Sequence, residues 1–149
     1  MMKNDKTALE KLHSQALDAG QRQAAELAQT QDQYRAALRL LNELQGHVIN
    51  YQQRQHSMSV GSVAWGESRA MHSFIATLKA ATAAQRAEVN RLQALLDEQT
   101  KAWTATRQRT KALETLLAKR RTKALATQRA REQAELDDWL LHQTSQRAA

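Results

Sequence analysis

The 149 residues include 22 Lys and Arg against 15 Asp and Glu, for a net charge of +7 and a pI near 10.1. Aromatics make up 4% of the chain, proline and cysteine are absent, and mean hydropathy is −0.70. These values exclude a thick globular core, disulfides and thiolate metal sites, and the lack of cysteine suits a reducing compartment. What remains is rich in Ala, Gln, Leu, Arg, Lys and Glu, the residues that cost least in a helix, so a thin helix-on-helix seam would use the apolar material available. The positive balance fits an anionic partner: nucleic acid, an acidic protein surface or the membrane face.

The opening residues, Met1-Met2-Lys3-Asn4-Asp5-Lys6, have no apolar segment behind their charges, so no secretory signal is expected. A first helical arm is predicted over about 5–57, interrupted by Gly20 and Gly46. Its stripe reads Leu17, Ala24, Leu27, Tyr34, Leu38, Leu41 and Val48, with Gln31 and Gln45 on the same line. Before Leu17 the apolar positions slip by one residue to Leu9, Leu12 and Ala16, a local change of winding that a seam tolerates. A second stripe, Leu40, Leu44, His47 and Tyr51, lies beside the first near the end of the arm.

Between about 58 and 67, Ser59, Gly61, Ser62 and Gly66 follow Ser57 closely, with Val60, Val63 and Trp65 among them. This density of Gly and Ser marks a reversal of direction, and the Ser68 hydroxyl is placed to cap the helix that follows. Tyr51, Trp65 and Phe74 either close this tip or present a surface to a partner.

The second arm is predicted over about 68–143. Positions alternately four and three apart form one line: Met71, Ile75, Leu78, Thr82, Gln85, Val89, Leu92, Leu96, Gln99, Trp103, Thr106, Thr110, Leu113 and Leu117. No charge falls on it, as a seam facing a partner helix requires. Beyond Leu117 the same rhythm meets Arg120, Ala124, Thr127 and Arg131, so the seam fades there. A fold-back near Gly61 to Val63 pairs residues whose numbers add to roughly 125, which brings the first arm to its end where the second seam fades. The expected fold is therefore all-α: residues 1–149 form a single coiled-coil domain, two long helices in an antiparallel coiled-coil hairpin with the second helix overhanging the first.

The overhang is bipolar, with Lys119, Arg120, Arg121, Lys123, Arg129 and Arg131 followed by Glu132, Glu135, Asp137 and Asp138 and then Trp139, Leu140 and Leu141. At the bend end Phe74 and Ala81 flank Leu78, with Gln85 one turn on, so both arms carry more apolar surface there than one seam needs.

Catalytic and cofactor chemistry find no foothold in this pattern. The isolated glycines cannot form a phosphate-cradling loop. The five histidines include no pair three or four apart on one helical face, so neither a metal site nor a cofactor is expected. Asp137 and Asp138 lie on a protruding helix with no cleft to shift their pKa values. The reading is a protein that is not an enzyme and takes no small-molecule substrate. Nucleic acid is disfavoured, because the basic run has no aromatic within it and acids follow at once. No stretch approaches the ~20 apolar residues that span a bilayer, so the chain reads as cytosolic.

Four features of the second arm carry a family resemblance: Phe74 to Leu78, Trp103 with Lys111, Leu113, Leu116 and Leu117, the run Lys119-Arg120-Arg121, and above all Glu132-Gln133-Ala134-Glu135-Leu136-Asp137-Asp138. In these the chain resembles the FliJ family, small soluble proteins of the bacterial flagellar protein export apparatus, over roughly residues 70–140. The resemblance implies an antiparallel coiled coil, similar to a rotary-ATPase stalk, that sits in the hexameric ring of the export ATPase and promotes its assembly and activity. It further implies contact with the membrane-embedded export gate and escort of export chaperones, on the cytoplasmic side of the inner membrane at the flagellar base, with membrane association only peripheral.

Carried over, the ATPase-facing residues are Lys119, Arg120, Arg121, Lys123, Arg129, Arg131, Glu132, Gln133 and Asp137. The gate-facing residues are Leu40, Leu44, His47, Tyr51, Phe74, Leu78, Ala81 and Gln85. His47 and Gln85 depart from the residue types usual there, and Trp139 is atypical beyond the acidic signature. The competing readings are the equivalent stalk of a virulence type III secretion system and, from a different class, a basic coiled-coil nucleic-acid binder.

Overall fold

The computed structural model describes residues 2–60 and 65–148, with side chains described over 8–58 and 65–148. Helix α1 spans Met2–Val60 and helix α2 spans Trp65–Ala148, and there is no strand among the described residues. The two helices pack on each other as a hairpin. The reversal expected at Gly61 to Val63 lies outside the described residues. Ser68 sits inside α2 rather than before it, so its hydroxyl is not the expected cap. By its contacts the chain divides into two units, Gln21–Thr104 and Met1–Gly20 with Ala105–Ala149.

In the unit Gln21–Thr104, Ala37, Leu41, Val89 and Leu92 form the core, with Tyr34 packed against it. Ile75 is buried beside the bend end, as are Thr30 and Thr82. Polar seam residues are reconciled with burial by local bonding. The Thr30 hydroxyl donates to the Glu26 carbonyl at 3.0 Å and that of Thr82 to the Leu78 carbonyl at 2.7 Å. The same back-bonding keeps a hydroxyl satisfied on a helix face that water cannot reach. Gln85 Nε2 donates across the seam to the Ala37 carbonyl at 2.9 Å, and the side chains of Gln55 and His72 meet at 3.2 Å. As numbers rise on α1 they fall on α2, so the helices run antiparallel. The buried Oε1 atoms of Gln23 and Gln99 have no hydrogen-bond partner, a local cost in an otherwise satisfied seam.

In the unit formed by Met1–Gly20 and Ala105–Ala149, Ala16 and Leu113 are buried. His13 Nε2 meets Glu114 Oε1 at 3.2 Å. Gly20 lies close to α2: a Cβ placed on it would stand 3.7 Å from Thr106 Cγ2, an ordinary contact distance. A mid-helix glycine with room for a methyl group wastes backbone entropy. Gly20→Ala is therefore expected to stabilise the fold by about 0.5–1 kcal/mol, read as a higher urea midpoint with an unchanged slope.

Every position of the expected α2 stripe, from Met71 through Leu117, is buried or half-buried. From Ala118 to Ala148 every residue is exposed. The seam thus stops where uncharged residues give way to the basic run, because a charge facing a helix loses hydration without a partner.

The α1 stripe differs from expectation. Leu17, Ala24, Gln31 and Leu38 are exposed, Leu17 by 42% and Leu38 by 36%. The line that faces α2 is Leu9, His13, Ala16, Gly20, Gln23, Leu27, Thr30, Tyr34, Ala37, Leu41, Leu44, Val48, Tyr51, Gln55 and Met58. It keeps the alternation of four and three along the whole arm without the expected slip. Small and polar residues hold half of its places, so a reading weighted toward leucine follows the neighbouring line instead. Gly20, whose added Cβ would already stand 3.7 Å from Thr106 Cγ2, shows why: a small residue fits there where leucine would not.

Candidate interaction surfaces

The residues of α1 and α2 nearest the bend gather aromatic and sulfur-bearing side chains. Tyr51 and Phe74 meet edge to face, with ring centroids 4.8 Å apart and an interplanar angle of 80°, a geometry that aligns the positive ring edge with the negative face. The Arg54 guanidinium covers the Tyr51 ring at 5.2 Å. Next to this pair an open hollow of about 400 Å³ is lined by Met58, Glu67, Ala70, Met71 and Phe74. Trp65 stays apart, 76% exposed, with the Arg69 guanidinium 5.6 Å from its ring. Tyr51 is therefore half-buried in the packing of the hairpin, Phe74 covers its ring from the exposed side, and Trp65 projects outward.

The eight residues carried over to the export gate divide into two sets. Leu44, Tyr51, Leu78 and Gln85 are half-buried and share in the α1–α2 seam. Leu40, His47, Phe74 and Ala81 are exposed, Leu40 by 45% and Phe74 by 44%. What the sequence presents as two parallel stripes is, on the folded hairpin, one seam and a single exposed flank. Ile49, 57% exposed on α1, stands half a turn round the helix from Leu40, so it lies with Leu38 on the opposite flank of the seam, and it was missed by the pattern. Its spacing of eleven residues from Leu38 is the signal that could have found it, since three helical turns return to nearly the same face.

On the overhang, Lys119, Arg120, Arg121, Lys123, Arg129 and Arg131 are all exposed, and among the described residues none forms an ion pair within 4.0 Å. Glu132, Gln133 and Asp137 are exposed as well. Their bonds are along the helix: Gln128 Nε2 donates to Glu132 Oε1 at 3.3 Å and Gln133 Nε2 to Asp137 Oδ1 at 3.1 Å. Three successive cations, Lys119 to Arg121, point in directions about 100° apart, so positive charge encircles the helix rather than marking one face.

Elsewhere on α2, Arg91 grips the Glu88 carboxylate through Nη2 at 2.7 Å and Nε at 2.9 Å. The hydrogen bond holds the Glu88 carboxyl below its usual range and raises the Arg91 guanidinium. The contribution of this exposed pair is present above the ordinary carboxylate pKa and lost as pH falls through the lowered one. Among the described residues no group of three or more His, Asp or Glu converges as metal ligands. Among the described residues, no helix is long and apolar enough to cross a membrane.

A two-helix hairpin with an exposed, charged extension on its second helix defines a coiled-coil class of protein. The sequence model described as the flagellar FliJ protein matches residues 5–149, nearly the whole chain, and the chain belongs to the FliJ family of the flagellar export apparatus. No curated protein and no solved structure gives a match.

Proposed function

We propose that this component of the flagellar export apparatus acts as a stalk in the export ATPase ring, promotes ring assembly and turnover, and hydrolyses nothing itself. The observation that carries this reading is the boundary at Leu117. On one side α2 is committed to α1; on the other, Ala118 to Ala148 is fully exposed and begins with an uncompensated basic collar. A cation set directed all round a helix suits the inside of a ring lined by carboxylates, where charge complementarity speeds encounter and sets orientation. Lys119, Arg120, Arg121, Lys123, Arg129 and Arg131 would meet the ring, with Glu132, Gln133 and Asp137 facing its basic groups.

The exposed flank, Leu40, His47, Phe74 and Ala81, would meet the membrane-embedded export gate. Leu44, Tyr51, Leu78 and Gln85 would support that surface from the seam. Export chaperones would be escorted by the same hairpin between deliveries, on the cytoplasmic side of the inner membrane, held there by partners. The seam ends before the overhang, so a chain truncated after Leu117 retains its buried residues. It is expected to keep its helical melting behaviour and lose stimulation of the cognate export ATPase. Full stimulation by the truncated chain would reject the overhang as the ring-binding element.

A further inference from the structure

Within the overhang, an exposed stripe runs Leu125, Arg129, Glu132, Leu136 and Trp139, again at alternate spacings of four and three. Leu125 is 52%, Leu136 50% and Trp139 55% exposed, so the stripe has no partner in its own chain. Its order has an unusual property. Read in one direction it is Leu-Arg-Glu-Leu, and read in the other it is Leu-Glu-Arg-Leu. Two copies laid side by side in opposite directions bring leucine against leucine and arginine against glutamate at every level.

We propose that this stripe binds a second copy of the chain as an antiparallel helix pair. Leu125 of one copy packs on Leu136 of the other, and Arg129 faces Glu132. A twofold axis repeats each contact, giving two leucine pairs and two ion pairs from one short stripe. Trp139 then stands level with Thr122 of the second copy, and Lys123 level with Asp138.

Charge selects the direction. A parallel pair would set Arg129 on Arg129 and Glu132 on Glu132, which costs energy at both levels. The antiparallel pair also lays the basic half of each overhang along the acidic half of the other. Within one chain these charges are unspent: Arg129 has no carboxylate within 4.0 Å among the described residues, and Glu132 accepts only from Gln128. An anionic membrane surface would suit Trp139 and Leu136 but not Glu132, Glu135, Asp137 and Asp138, which accompany them. The inference is independent of the stalk reading. In both cases the overhang is occupied, so a dimer would hold the chain out of the ring.

The test is sedimentation equilibrium of the full chain from micromolar to millimolar concentration at low salt. A reversible dimer is expected. Arg129→Glu alone and Glu132→Arg alone should each weaken it by at least about tenfold, because each sets like charges together. The combined swap, Arg129→Glu with Glu132→Arg, restores the complementarity and should restore the dimer, which a merely structural role for either residue would not do.

Because the chain has no cysteine of its own, direction can be read by cross-linking. Leu125→Cys mixed with Leu136→Cys should join between the two variants under a copper oxidant, while neither should join to itself. A monomer throughout the range, a dimer indifferent to the charge variants, no rescue by the swap, or self-linking of Leu125→Cys would each overturn the proposal.

Discussion

Reversing Arg120 and Arg121 to Glu is expected to remove stimulation of the cognate export ATPase, leaving ring turnover at the level seen without this chain. The two guanidinium groups are exposed and make no ion pair among the described residues, so the substitution leaves the seam intact. Helical content and the thermal midpoint should stay within about 0.5 kcal/mol of the parent, the usual range for surface changes. Binding should suffer far more. If the ring surface is acidic, as proposed, carboxylates at these positions replace attraction with like-charge repulsion of several kcal/mol, equivalent to at least about a hundredfold in affinity.

Salt provides the internal control. Stimulation by the parent chain should fall as ionic strength rises, because exposed charges are screened within about 10 Å at 0.1 M. The residual activity with the double variant should be insensitive to salt. Steady-state ATPase rates over a salt series, alongside circular-dichroism melts, check both halves. Undiminished stimulation by the double variant would mean that the ring holds the chain elsewhere.

Leu92→Ala should produce the largest loss of stability of any single truncation. Leu92 is 3% exposed and packs with Ala37, Leu41 and Val89. A helix pair has no third layer to collapse into the space, so both the lost transfer energy and the cavity are felt, about 2–4 kcal/mol together. Leu40→Ala removes the same atoms from a residue 45% exposed on the flank of α1 and should cost no more than about 0.5–1 kcal/mol.

Urea unfolding of the two variants separates a seam residue from a surface residue. The functional readout should order them the other way. Leu40→Ala should weaken capture of the cytoplasmic part of the export gate, while Leu92→Ala, studied below its melting temperature, should retain it. Equal stability losses for the two would show that Leu40 packs inside the molecule.

The comparison of stripes explains where pattern reading succeeds. On α2 the seam is written in large residues, Ile75, Leu78, Val89, Leu92, Leu96 and Leu113, at a spacing that only a helix–helix seam uses. Thr82, Gln85, Thr106 and Thr110 fall on the same line, and each is buried or half-buried. The stripe's end at Leu117 was legible from the arrival of Lys119 to Arg121, since charge on a seam is costly. On α1 the same method drifted by one residue. Ala16, Gly20, Thr30 and Ala37 face α2, while Leu17 and Leu38, the better hydrophobes, face water. An apolar count rewards size, whereas a close-packed seam rewards fit to what stands opposite. What stands opposite is not encoded in the local pattern.

The candidate surfaces divide along the same line. The bipolar overhang could be read directly, because an unpaired helix owes its character to its own residues. Its basic run, its acidic signature and the Leu-Arg-Glu-Leu stripe are all one-dimensional facts. The flank near the bend could not. On α1, Leu44 and Tyr51 look equivalent to Leu40 and His47 until the register is known, whereas on α2 the line already set Leu78 and Gln85 apart from Phe74 and Ala81. The register, marked by the hydrogen bond from Gln85 to the Ala37 carbonyl 48 residues away, places Leu44 and Tyr51 in the seam and leaves Leu40 and His47 exposed.

The sequence by itself determined that this protein is helical, that one long stripe seeks a partner helix, that a charged segment is left over, and that its signature is that of the FliJ family. Helix propensity, periodicity and local charge are properties of neighbouring residues. Only the tertiary structure decided which line of α1 meets α2 and which apolar residues remain outside. Those outcomes depend on shape complementarity between segments far apart in the chain.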